Sequence, residues 1–340
     1  DNEVAVIDYH KNLFDIPNYK AETAEEESMC NECYEVFAIP TESPLYGPRT
    51  ILTNPAHPTA SPFGWHDTNG VAGPEFTDTE GNNVDAFDAN TGFQPDGGAN
   101  LDFSGFAFNQ LYTNANQYEE ASVTQLFYLN NVMHDIIYLY GMDEVGGNFQ
   151  ETNYTGQGNG GDSVNANSQI GQNCNASFGT PPDGANPSMN MFVCNGRDGN
   201  FDNLVVFHEY GHGVSNRLTG GPNNTSCLFN DEQMGEGWSD FLGAIFTMRN
   251  GDAPEDPRGV GTYLFGDQAG DPGIRPFPYS TDLSVNPQTY SSISSVSIPH
   301  GVGSVWATML WELTWALIDE HGFDENIFNF TYQNKKREGK

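Results

Sequence analysis

Asp202-Asn203-Leu204-Val205-Val206-Phe207-His208-Glu209-Tyr210-Gly211-His212-Gly213-Val214-Ser215-Asn216-Arg217-Leu218 decides how this chain is read. The apolar run before His208 predicts a buried helix over about 202–218. Acidic Asp202 suits its N-terminus, and Gly220-Gly221-Pro222 breaks it. Residues four apart share a helix face, so His208 and His212 present two imidazoles one turn apart, with Glu209 beside them. This H-E-x-x-H arrangement binds zinc and can activate a water molecule on it. The competing reading is a hydrogen-bonded core histidine pair with a solvated Glu209.

A catalytic zinc takes three protein ligands and keeps one position open. Gly235-Glu236-Gly237-Trp238-Ser239-Asp240 offers the third. Glu236 and Asp240 also share a helix face, so Glu236 is read as a metal ligand and Asp240 as acceptor for the remaining ring N–H of His208. Such a carboxylate fixes the tautomer and raises ligand basicity.

Composition narrows the classes. Of 340 residues, 46 are acidic and 12 basic, a net charge of -34. That surface repels phosphate, so neither nucleic acid nor an anionic membrane is an expected partner. Scattered acids suit solubility in a saline medium, while Asp252, Glu255 and Asp256 are the candidate calcium cluster, set against a solvated acidic loop. Hydrophobic content is only 37%, but 23 Phe, 15 Tyr and 5 Trp supply core volume. No window has the roughly 18 apolar residues of a membrane span, and no signal sequence opens the chain, which reads as a mature form. Cys30 and Cys33 are read as a local disulfide or two idle thiols. Cys174 and Cys194 could be bridged, leaving Cys227 odd, and the pairing stays open. Sequons stand at Asn153, Asn175, Asn223, Asn224 and Asn329.

Along the chain, residues 1–110 read as β-rich, with strand-like content over Tyr34–Pro40. Helical periodicity marks Val123–Tyr140, Gly235–Met248 and Gly301–Asp319. The Gly-, Asn- and Pro-rich stretch 156–184 suits winding surface structure, and Met189–Val193 a short strand.

His208 to Pro222 followed by Met234-Gly-Glu-Gly-Trp-Ser-Asp-Phe241 resembles the fungalysin family of secreted zinc metalloendopeptidases, peptidase family M36, and more distantly thermolysin-like enzymes. Ser61-Pro-Phe-Gly-Trp-His66, His134-Asp135, Gly147-Asn-Phe-Gln150, Thr180-Pro-Pro-Asp-Gly184, Gly273-Ile-Arg275, Tyr279-Ser-Thr281 and His300-Gly-Val-Gly-Ser-Val-Trp306 resemble family segments in the same order, covering most of 34–320. The implied fold is α+β, a β-rich N-terminal lobe and a mainly helical C-terminal lobe with the zinc site in the cleft between them. The regions are 1–110, a central 111–218 carrying an edge strand and the zinc helix, and a helical 219–340. The family continues through a further helical stretch, so the last region is expected to be truncated.

The resemblance implies one zinc on His208, His212 and Glu236, Glu209 as general base, and His300 as a donor to the developing oxyanion; unaided, His300 reads as a solvated or capping helix-start residue. Arg275 resembles an arginine gripping a substrate carbonyl, against a structural ion pair, and Asn190 an edge-strand position that holds extended peptide. Tyr279 and Tyr290 are candidates for a catalytic tyrosine. Val205, one turn before His208, and Ile274, beside Arg275, predict an apolar pocket for the residue after the scissile bond. The expected protein is a secreted monomeric endopeptidase acting on proteins or peptides and silenced before maturation by a propeptide. The alternative is a secreted zinc-stabilised peptide-binding or adhesion module without catalysis.

Overall fold

The computed structural model describes residues 30–111, 114–230 and 234–328. Expectations for residues 1–29, for the sequon at Asn329 and for the C-terminal end of the 219–340 region lie outside the described residues.

In chain order, β1 (Cys33–Val36), β2 (Thr50–Thr53), β3 (Val84–Asp88) and β4 (Asp102–Phe103) precede the long helix α1 (Glu119–Leu139). Then come β5 (Val164–Ser168), β6 (Ala176–Gly179), β7 (Ser188–Met191), β8 (Val193–Cys194) and β9 (Arg197–Asp198). Helices α2 (Asn203–Gly220), α3 (Gly235–Phe246), α4 (Thr262–Phe265) and α5 (His300–His321) complete the fold. It is a mixed α/β architecture, consistent with the α+β expectation. One sheet has the order β2-β1-β4 and a second the order β3-β5-β7-β6, parallel except for β6 against β7. The second sheet draws strands from both sides of residue 110.

Helix α1 is buried from Ala121 to Ile137 because it lies against both sheets and α2. A helix covered on all sides must satisfy its polar side chains internally. Gln125 accepts the Phe37 N–H at 2.8 Å and donates to Asn203 Oδ1 at 2.9 Å, tying the region after β1 to the first turn of α2. Asp135 accepts from Ser61 Oγ at 2.6 Å, Trp65 Nε1 at 3.0 Å and the His57 N–H at 2.8 Å. Two of the family-like segments, Ser61–His66 and His134–Asp135, therefore meet as framework around α1. A second apolar cluster, including Leu204, Ala244, Tyr279, Trp311 and Trp315, joins α2 and α3 to α5.

The helices fall within a few residues of the periodicity reading. The stretch 156–184 does not: it contains β5 and β6, although Val-Asn-Ala-Asn-Ser and Ala-Ser-Phe-Gly are weak strand formers. Pairing decides there, since β5 is enclosed by β3 and β7 and buries Val164, Ala166 and Ser168 on one face. Both open cysteine pairings are disulfides, Cys30–Cys33 and Cys174–Cys194, and Cys227 is a free, exposed thiol. Among the described residues no helix is long and apolar enough to cross a membrane.

Candidate active site and metal centre

Asp202 caps α2 by accepting the Val205 N–H at 3.4 Å. Helix α3 packs on α2 so closely that a Cβ on Gly243 would lie 2.7 Å from the Leu204 carbonyl oxygen. The first turn of α5 meets α3 as tightly: a Cβ on Gly303 would stand 2.5 Å from Glu236 Cβ. These contacts bring His208, Glu209 and His212 of α2, Glu236 and Asp240 of α3 and His300 of α5 to one place.

One ligand atom each from His208, His212 and Glu236 lies within 4.8 Å of the others. His208 Nε2 is 3.3 Å from Glu236 Oε2 and 3.2 Å from His212 Nε2, and His212 Nε2 is 3.8 Å from Glu236 Oε1. The donor chemistry fits zinc, two imidazole nitrogens and one carboxylate converging from two buried helices. His208 Nδ1 lies 2.7 Å from Asp240 Oδ1, and because a carboxylate only accepts, Nδ1 carries the proton and Nε2 keeps its lone pair for a metal. Burial disfavours charge on His208, but hydrogen bonds to Asp240 and Glu236 outweigh it and hold the pKa up at about 10. A divalent cation held by the same lone pairs would take the place of the second ring proton, the one on Nε2. Burial, reinforced by His208, pushes His212 down to about 4. Glu236 is held at about 2 because His208 outweighs its burial.

Asp240, fully buried, is the hub. Arg275 donates Nε to its Oδ2 at 2.7 Å and an Nη2 hydrogen to its Oδ1 at 2.8 Å, and Tyr279 O–H donates to Oδ2. Burial alone would raise the Asp240 pKa, yet Arg275 and His208 keep it far below the usual carboxylate range. Arg275 also approaches Glu236 Oε2 at 3.4 Å. Of its two readings, the ion pair is in place, and the residue still lines the cleft. Tyr279 serves Asp240 from within the core, and Tyr290, exposed outside α5, does not line the cleft.

A cleft of about 750 Å³ opens over these residues. Glu209 lines it, and burial raises its pKa to about 7. His300 is exposed there, with Nε2 3.4 Å from Glu236 Oε1. Val205 and Ile274 both line the cleft and flank Gly261: their Cγ2 atoms lie 3.5 and 3.3 Å from where a Gly261 Cβ would be. Leu264 and Phe265, which carry no motif in the sequence, line the same cleft. Their one signal is the short apolar run Tyr263-Leu264-Phe265 after Gly261.

One expectation is corrected. Asn190 is not on the sheet edge. It sits on β7, paired on both sides, where its Oδ1 accepts from Asn167 Nδ2 and its Nδ2 donates to Ser177 Oγ, each at 3.1 Å. Among the described residues the edge beside the cleft is β6, whose Ala176–Gly179 line it. The candidate calcium cluster is not assembled. Asp252 Oδ2 accepts from Arg258 Nη1 at 3.0 Å and the Arg249 N–H at 2.9 Å, and Asp256 closes a turn on the Ala253 N–H at 2.8 Å. The one group of three converging His, Cys or acidic side chains among the described residues is His208, His212 and Glu236.

A buried His-Glu-x-x-His helix with a glutamate from its neighbour, opening into a cleft, marks the class of zinc-dependent peptidases. Residues 33–340 match the family described as fungalysin metallopeptidase (M36), and the chain belongs to that family. It is 39% identical over 310 residues to extracellular metalloproteinase 2 of Trichophyton tonsurans, an alignment covering 86% of this chain and 48% of the relative. Extracellular metalloproteinase 2 of Trichophyton rubrum is 40% identical over 307 residues, with 86% and 48% covered. Extracellular metalloproteinase MEP of Leptosphaeria maculans is 41% identical over 303 residues, with 85% and 47% covered. The chain thus spans about half the length of these curated relatives.

Proposed function

We propose that this chain is the catalytic part of a secreted, monomeric zinc metalloendopeptidase, with His208, His212 and Glu236 holding one zinc ion and protein or peptide as substrate. A propeptide would silence it before maturation. The observation that carries the reading is the convergence of those three side chains beside a buried Glu209 at the floor of an open cleft. When bound, zinc supplies Lewis acidity to the scissile carbonyl and to the attacking water.

Glu209, with a pKa of about 7, takes a proton from water as its oxygen bonds to the carbonyl carbon. It returns the proton to the departing nitrogen as the C–N bond breaks, leaving a carboxylate and an amine. His300, exposed in the cleft, donates toward the former carbonyl oxygen as charge gathers there. Asp240 keeps the proton of His208 on Nδ1, and Arg275 both fixes Asp240 and presents its free edge to the substrate backbone. The apolar wall of Val205, Ile274, Leu264 and Phe265 favours a hydrophobic residue after the scissile bond. An extended peptide pairs with β6 by strand addition.

Purified protein should hydrolyse casein, lose activity to a chelator, regain it with zinc, and lose it in Glu209→Gln at unchanged zinc content. Stoichiometric zinc without hydrolysis by the parent protein would overturn catalysis in favour of a peptide-binding or adhesion module. Cleavage of a peptide library clustered before charged residues would overturn the apolar pocket.

A further inference from the structure

One wall of the cleft is the outer edge of β6, and its two ends are held by different devices. Among the described residues β6 pairs only with β7, so its far side is open to the cleft. Past its C-terminal end the chain turns through Thr180–Ala185, where Arg217 of α2 is fully buried. Arg217 donates to the carbonyls of Pro181 and Pro182 at 3.2 Å each and of Ala185 at 3.4 Å, and pairs with Asp162 at 2.6 Å and Asp183 at 3.4 Å. The middle of the strand rests on α2 through Phe178, whose ring centre is 5.9 Å from that of Tyr210.

The N-terminal end has no such anchor. The preceding backbone tie is Val193 N–H to the Gly171 carbonyl at 2.8 Å, and among the described residues no backbone–backbone hydrogen bond holds 172–175. What holds this end is the Cys174–Cys194 disulfide. Cys194 is buried in β8 and paired to Arg197 of β9, a fixed post. Cys174 is exposed, carries a φ of 46°, and leads directly into β6. Both half-cystines line the cleft.

We propose that the Cys174–Cys194 disulfide is a positioning device for extended substrate, holding the start of β6 in register with the metal-site residues so that an incoming peptide adds to a strand ordered in advance. The inference rests on the peptidase reading. Ordering an edge before binding spares the complex that entropy cost, so the cross-link acts on affinity for peptides long enough to run along β6. Bond breaking takes place on α2 and α3, which are packed together independently of this loop. A cross-link serving stability alone would not discriminate substrates by length. Cys30–Cys33, which does not line the cleft, is the internal control.

The test compares Cys174→Ser/Cys194→Ser with the parent protein on a quenched peptide of about eight residues and on a blocked dipeptide carrying only the scissile bond. The expected result is a KM for the long peptide raised about tenfold, kcat within about twofold, and an unmoved KM for the dipeptide. Should the variant not fold, the folded parent protein is reduced with a water-soluble phosphine. Each disulfide then becomes two thiols as the phosphine takes oxygen from water, and the same KM change is expected; reduction of Cys30→Ser/Cys33→Ser assigns it to Cys174–Cys194. An unchanged KM for the long peptide overturns the inference. So does a loss shared equally by the dipeptide, by kcat or by unreduced Cys30→Ser/Cys33→Ser. Parent protein that cleaves neither substrate overturns the peptidase reading and this inference with it.

Discussion

His66 and His208 are both buried, at 2% and 7% exposure, and their surroundings could hardly differ more. His66 lies in an aromatic stack near β1, its ring centre 4.8 Å from Phe127 and 5.5 Å from Phe103. Its Nδ1 donates to the Glu80 carbonyl at 3.1 Å, and Tyr34 O–H donates to Nε2 at 2.7 Å. A neutral ring fills both positions, and burial pushes its pKa down to about 4. Around His208 the partners are the carboxylates of Asp240 and Glu236, which call for a cation on the ring or beside it. Burial pushes both histidines the same way, so the chemistry of the partner atoms decides which becomes framework and which a metal-ligand candidate.

The contrast breaks hardest at Glu209. Glu209→Gln keeps the shape and removes the proposed base, so kcat on a quenched peptide should fall about a thousandfold with zinc content unchanged by atomic absorption. Asp240→Asn is next, because it removes the negative charge at the two shortest contacts of the buried Arg275 and turns one of the two accepting oxygens shared by His208, Arg275 and Tyr279 into a donor. An unfolding loss of about 3–5 kcal/mol is expected, with zinc affinity about 10- to 100-fold weaker by chelator competition. A loss near zero would mean that this cluster tolerates neutrality as His66 does.

The aromatic region should show a pH dependence of its own. The folded pKa of His66 lies below its unfolded value of 6.5, so its contribution is fully present above that pH and drains as pH falls toward about 4. The loss totals about 3 kcal/mol. In His66→Gln, which keeps a donor for Glu80 and an acceptor for Tyr34, denaturant unfolding should lose that share of its slope between pH 6.5 and 4. An identical slope would place the titration elsewhere. The smallest effect is Tyr34→Phe, which leaves His66 Nε2 without its donor and should cost about 1–2 kcal/mol by the same measurement.

Much of the candidate site is legible in the sequence. Four-residue spacing alone pairs His208 with His212 and Glu236 with Asp240, because a helix converts spacing into a shared face. Periodicity likewise locates α1, α2, α3 and α5 within a few residues. The proposed recognition wall is not legible. A peptide that pairs with backbone asks for an exposed edge and no particular side chain, so Ala176–Gly179 carry no signature, and the strand expected at the edge, β7 with Asn190, proves to be interior. The Asn-rich β5 and β6 are hidden for a related reason, since neighbouring strands make them strands. Cysteine spacing leaves the pairing of Cys174 and Cys194 open and carries no sign that their disulfide closes onto the cleft.

The sequence by itself determined which side chains share a helical turn, and so the identity and order of a candidate zinc ligand set, because that geometry follows from local backbone dihedrals. Only the tertiary structure decided what the turns face. It brought α3 onto α2 and α5 onto α3 through glycine contacts, closed Arg275 and Tyr279 onto Asp240, and, among the described residues, left β6 as the edge beside the cleft. Those outcomes depend on packing and strand pairing between residues distant in sequence, which no local periodicity records.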